Sequence, residues 1–114
     1  MFYGFRDLAT NVVDKPVLNV FRMFGMMKGK RVEVTGNKMY PFLTVRDSSV
    51  RLGNDVGGMA SKDKNNCSVM LWNYHDDDTT GLPEQVCVQV KDIPATNITI
   101  TEYRLDKEHS NSYE

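Results

Sequence analysis

The stretch MLWNYHDDD, residues 70–78, runs from an apolar strand into one histidine and three aspartates, and its reading decides the fold. With Ser68 and Val69 added on its N-terminal side, side chains alternate at period two: Val69 and Leu71 point one way, Met70, Trp72 and Tyr74 the other. Both faces of that strand therefore seek apolar contact, as in a strand covered on two sides. The acidic end admits two readings. His75 with Asp76, Asp77 and Asp78 could hold a hard cation through carboxylate oxygens, but the spacing is not that of a calcium loop, which needs alternating ligands, a glycine and a distant glutamate. Consecutive aspartates after a strand more often form a solvated turn, and that reading is preferred.

Working outward, the residues on either side repeat the period-two pattern. Val32 and Val34 alternate with Arg31, Glu33 and Thr35, ending at the turn Gly36-Asn37. Further predicted strands cover residues 39–46, 57–61, 67–75, 84–91 and 97–105, separated by turn-rich LGND, SKDKNN, DDDTTG and KDIPAT. Five or six short strands with no helix between them imply a mainly β fold, an antiparallel β-sandwich.

One helix precedes it. Asp14-Lys15-Pro16 is a start signal, and VLNVFRMFGMMKG follows, with Val17, Val20, Phe21, Phe24 and Met27 on one stripe. Leu18, Met23 and Met26 widen that stripe until only Asn19 and Arg22 interrupt it, and Gly29 is the expected stop. Burying one large apolar side chain is worth ~1.5–3 kcal/mol against a net stability of ~5–15 kcal/mol, so a helix and a strand this apolar imply a partner surface.

Composition excludes several classes. A chain of 114 residues is the size of one domain, 40% hydrophobic and 25% charged, with a net charge of −1. Its cations are scattered, which gives no footprint for nucleic acid or an anionic membrane, and no run approaches the ~20 apolar residues of a spanning helix. No leader of the export type opens the sequence. Cys67 and Cys87 fall on two predicted strands, where reduced, buried cysteines are expected over a disulfide. Asn66-Cys67-Ser68 and Asn97-Ile98-Thr99 fit the glycan acceptor pattern, a short pattern that carries meaning only in a secreted eukaryotic protein.

Three segments, DKPVLNVFRMFGMM (14–27), MLWNYHDDD (70–78) and YRLDKEHSNSYE (103–114), resemble the C-terminal region of glycoside hydrolase family 39, the β-xylosidase and α-L-iduronidase family. The resemblance implies a (β/α)₈ barrel followed by an accessory β-sandwich. Residues 1–29 would then be the loop and last helix of a truncated barrel, and residues 30–114 the sandwich. It also implies a chain cut at both ends, whose partners are the missing barrel and, in the intact enzyme, an oligosaccharide derived from xylan. Such a parent is expected to be secreted or periplasmic.

The family is a retaining one, with two glutamates ~5–5.5 Å apart on barrel strands. No Asn-Glu-Pro segment of that type occurs here. Glu33, Glu84 and Glu102 lie in predicted strands and Glu108 and Glu114 in the tail, so no catalytic residue, metal or cofactor is expected. Arg6 is the one candidate for substrate binding: in MFYGFRDL it would lie at the C-terminal face of the barrel, where a guanidinium can contact a sugar hydroxyl or carboxylate. The competing reading is an ion pair with Asp7 or a neighbouring loop.

Trp72 and Tyr74 could stack on a sugar ring, but their apolar neighbours favour packing. In the tail, Asp106, His109, Ser110, Asn111 and Tyr113 fit the family's Asp-x-x-His-Ser-Asn pattern and are read as pinning a turn through backbone hydrogen bonds. A Ser110-His109-Asp106 triad fails, because adjacent residues cannot easily set a hydroxyl against its neighbour's ring. The sequence thus supports an accessory part of a β-xylosidase-like enzyme. The alternative is a stand-alone carbohydrate-binding or interaction module, and an autonomous glycosidase would need a carboxylate pair that is not found.

Overall fold

The computed structural model describes residues 9–10, 13–94 and 96–111. They form two compact units, one from Met1–Met26 with Pro94–Glu114 and one from Met27–Ile93. In the first, β1 (Ala9–Thr10) pairs antiparallel with β2 (Val13–Asp14), and α1 (Pro16–Met26) follows directly. Pro16 opens the helix, where its fixed φ suits the first turn and its missing N–H costs nothing. The Lys15 carbonyl accepts from the Leu18 amide at 2.9 Å, and Arg22 reaches back to the Asp14 carboxylate at 2.7 Å.

The second unit is built on β3 (Lys30–Val32), β4 (Asp55–Lys62) and β5 (Cys67–Tyr74), an antiparallel sheet in the order β3-β4-β5. The β4–β5 hairpin runs in register from Asp55↔Tyr74 to Lys62↔Cys67. Its loop is fixed by Asp63, whose Oδ1 accepts from the amides of Asn65 and Asn66, while its own amide donates to the Asn66 carbonyl at 3.0 Å. Gly29 enters β3 at φ +84°, and a Cβ there would lie 2.1 Å from the Lys62 carbonyl oxygen, so only glycine fits. α2 (Phe42–Ser48) precedes β4.

The chain is therefore a small mixed α/β structure whose main sheet is antiparallel. The helix expected after Pro16 is present, as are strands at 57–61 and 67–74, within β4 and β5. Three expected strands are not. Residues 42–48 of the 39–46 segment are helical because Pro41, at φ −60° and ψ 144°, stands at the N-cap and its carbonyl accepts from the Val45 amide at 3.1 Å. Residues 84–91 and 97–105 are irregular and mostly exposed, because no neighbouring strand among the described residues pairs with their backbone. Cys67 and Cys87 are free thiols and exposed, against the expectation that they would be buried, since the segment carrying Cys87 joins no sheet.

The core is thin. Among the described residues the buried hydrophobics are Val50, at 1% exposure, and Ala60, with Lys15 and Ser61 as buried polar residues. No described helix is long and apolar enough to cross a membrane.

Candidate functional site

The helix α1 buries none of its residues. At 100° per residue its side chains divide into two opposed faces. Asn19, Arg22, Met23 and Met26 line a cavity of about 250 Å³ closed on its other side by Tyr103, Arg104 and Ser110. Asn19 Nδ2 donates to the Ser110 carbonyl at 3.1 Å, which fastens the C-terminal segment to this face. On the opposite face, at i, i+4 and i+7, stand Val17, Phe21 and Phe24, all exposed, with Phe21 at 60%. The face of α1 that meets residues 103–110 thus mixes Asn19 and Arg22 with Met23 and Met26, and Val17, Phe21 and Phe24 are left in solvent.

The turn that meets α1 is held by Asp106. Its Oδ1 accepts from the amides of Glu108 (2.8 Å) and His109 (2.9 Å) and from His109 Nδ1 (2.7 Å), and Arg104 Nε lies 2.6 Å from Oδ2. These bonds, led by the His109 ring, hold the Asp106 carboxyl down to about 2. The expectation that this motif pins a turn matches these bonds. Ser110 takes part through its carbonyl, and Tyr113 lies outside the described residues.

The acidic end of β5 is also a fastening. The Asp76 amide donates to the Val50 carbonyl at 2.7 Å, and Asp76 Oδ2 accepts from the Val50 amide at 2.8 Å. Asp76 Oδ1 accepts from the Tyr74 hydroxyl, and Asp77 Oδ2 accepts from the Leu52 amide at 2.8 Å. Two non-glycine residues in this loop, Ser49 and Leu52, stand at φ 58° and 62°, an arrangement that these carboxylates support. The Tyr74 hydroxyl, then the Val50 amide, lower the Asp76 pKa below the ordinary carboxylate range, and the same bond raises that of Tyr74. Asp76 and Asp77 thus secure the loop before β4. Among the described residues no group of three or more His, Cys, Asp or Glu is placed to hold a metal ion.

Beside this rim, His75, Asn54, Asp77, Thr79, Thr80 and Glu84 help line an open pocket of about 350 Å³. Some of its polar groups are engaged: Asn54 Nδ2 donates to Asn73 Oδ1, and both Glu84 oxygens accept from Lys38 Nζ at 3.0 to 3.1 Å. His75 Nδ1 is buried with no hydrogen-bond partner among the described residues.

Trp72 is half-buried, and its indole donates to Asp55 Oδ2 at 2.9 Å, while Asp55 Oδ1 accepts from the Tyr40 amide at 2.8 Å. A ring tied into the sheet in this way is no free stacking platform, and Asp55, missed by the sequence reading, carries no local signal beyond its place at the start of a strand. Arg6, the expected substrate-binding residue, lies outside the described residues. No known protein family, curated protein or solved structure matches the chain.

Proposed function

We propose that the chain is a non-catalytic supporting segment of a β-xylosidase-like retaining glycoside hydrolase of family 39, acting on oligosaccharides from xylan. In this reading α1 is the last helix of a (β/α)₈ barrel and lays Val17, Phe21 and Phe24 against that barrel, while Arg6 reaches toward the sugar from the barrel's C-terminal face. The single observation that supports it most is the bare aromatic stripe on α1, which lies opposite the face that already meets residues 103–110. Residues 84–91 and 97–105 alternate at period two yet lie exposed, and on the barrel they take up strand geometry and complete the sandwich. The three segments that resemble the family supply the chemical class.

The alternative of a stand-alone sugar-binding module has less support, because Trp72 is committed to Asp55. Titration calorimetry with xylotriose decides between the two. The isolated chain is expected to show no heat and no hydrolysis of an aryl xyloside; saturable binding by the chain alone would move the assignment to a binding module.

A further inference from the structure

We propose that the cavity between α1 and residues 103–110 binds a small organic monocarboxylate, held by Arg22 from the helix and Arg104 from the C-terminal segment. Both arginines line the same space of about 250 Å³. Each is fixed by a carboxylate of its own, at one edge only. Arg22 Nη1 donates to Asp14 Oδ2 at 2.7 Å and to Asn19 Oδ1 at 3.2 Å, and Arg104 Nε lies 2.6 Å from Asp106 Oδ2. A guanidinium carries more N–H donors than one such contact uses, set in a rigid planar fork. Nε and Nη2 of Arg22 and both Nη groups of Arg104 make no hydrogen bond to another described residue. Asn19 ties the arrangement together, since its Nδ2 donates to the Ser110 carbonyl at 3.1 Å while its Oδ1 accepts from Arg22. Helix, tail and guanidinium are therefore placed before a ligand arrives, which lowers the entropic cost of binding.

Charge and lining select the class of ligand. Asp14 and Asp106 already balance the two arginines, so the wall offers directed donors with little net positive charge. Such a wall suits a monoanion, whose two oxygens match a guanidinium fork, over a dianion such as phosphate. Met23, Met26 and Tyr103 complete the lining. Their polarizable and aromatic surfaces accept an apolar body and give nothing to further anionic oxygens. The cavity lies on the face of α1 away from Val17, Phe21 and Phe24, so the proposal stands independently of the function proposed above.

Benzoate titrated into the full chain with ¹³C-labelled methionine methyls tests it, with benzyl alcohol and inorganic phosphate as comparison probes. The expected result is a saturable shift of the Met23 and Met26 methyls, with Met59 and Met70 in the sheet unmoved, at a dissociation constant of about 1 mM or tighter. Benzyl alcohol, which lacks the carboxylate, should bind at least about tenfold more weakly, the loss of charge-assisted hydrogen bonds. Arg104→Lys keeps a cation beside Asp106 but not the fork, and should weaken benzoate by about tenfold with an unchanged circular dichroism spectrum. The comparison of benzoate with benzyl alcohol in the unaltered chain needs no variant. Equal affinity for those two probes, tighter binding of phosphate than of benzoate, or unmoved Met23 and Met26 methyls up to about 10 mM benzoate would overturn the proposal.

Discussion

Val50 and Asp76 are joined by two hydrogen bonds of opposite direction: the Asp76 amide donates to the Val50 carbonyl at 2.7 Å, and the Val50 amide donates to Asp76 Oδ2 at 2.8 Å, while the Tyr74 hydroxyl donates to the other carboxylate oxygen. Val50 is the most deeply buried hydrophobic residue described, so this pair fixes the loop before β4 to the end of β5. Asp76→Ala should remove the acceptor from the Val50 amide and speed its hydrogen exchange by about an order of magnitude, the loss of one charge-assisted hydrogen bond. Asp78→Ala, which touches none of these groups, should leave it unchanged.

Acid should act at the same place. The Asp76 pKa is lowered in the folded chain, first by the Tyr74 hydroxyl and then by the Val50 amide. Such a group contributes stability above the unfolded carboxylate pKa, and that contribution is lost as pH falls through the lower folded value. Thermal unfolding followed from pH 6 to pH 2 (about the carboxylate range) should show an acid limb that flattens in Asp76→Asn.

Asp106 sets a second, separable acid transition. With its carboxyl held down to about 2 by the His109 ring and the local amides, the 106–109 turn should persist through pH 4 and loosen only as pH approaches about 2. The amide resonances of Glu108 and His109 report this directly. Asp106→Asn should shift both at neutral pH and loosen the attachment of Ser110 to Asn19.

Gly29→Ala should cost ~1–3 kcal/mol in urea denaturation, because the chain there needs a left-handed φ and a Cβ would strike the Lys62 carbonyl. Gly25→Ala, in α1 with nothing within 4 Å, should instead stabilise by roughly 0.4–1 kcal/mol through helix propensity and the unfolded chain.

These pairings also mark what was legible in the sequence. Pro16 and the spacing of Val17, Phe21 and Phe24 give α1 away, since a helix start and a 3.6 period are local signals. The β4–β5 hairpin is legible from the turn residues around Asp63 and from alternation on both sides. Residues 39–46 mislead because MYPFLTVR alternates like a strand while Pro41 opens a helix, and two short-range signals of opposite sense cannot be ranked from sequence alone. Residues 84–91 mislead for a different reason: alternation reports what a segment can bury, and pairing needs a neighbour. The Asp55 and Val50 contacts are non-local, joining residues 17 and 26 positions apart to Trp72 and Asp76, and composition carries no trace of them.

The account rests most on the bare stripe of α1, and Phe21 is its most exposed aromatic. Calorimetric titration of the chain into the barrel of a family 39 xylosidase truncated before its last helix tests it most directly, with Phe21→Asp as the comparison. The account predicts a one-to-one complex of micromolar affinity or tighter, worth about −8 kcal/mol, that is lost in Phe21→Asp. No heat with either chain, or equal affinity for both, would contradict it.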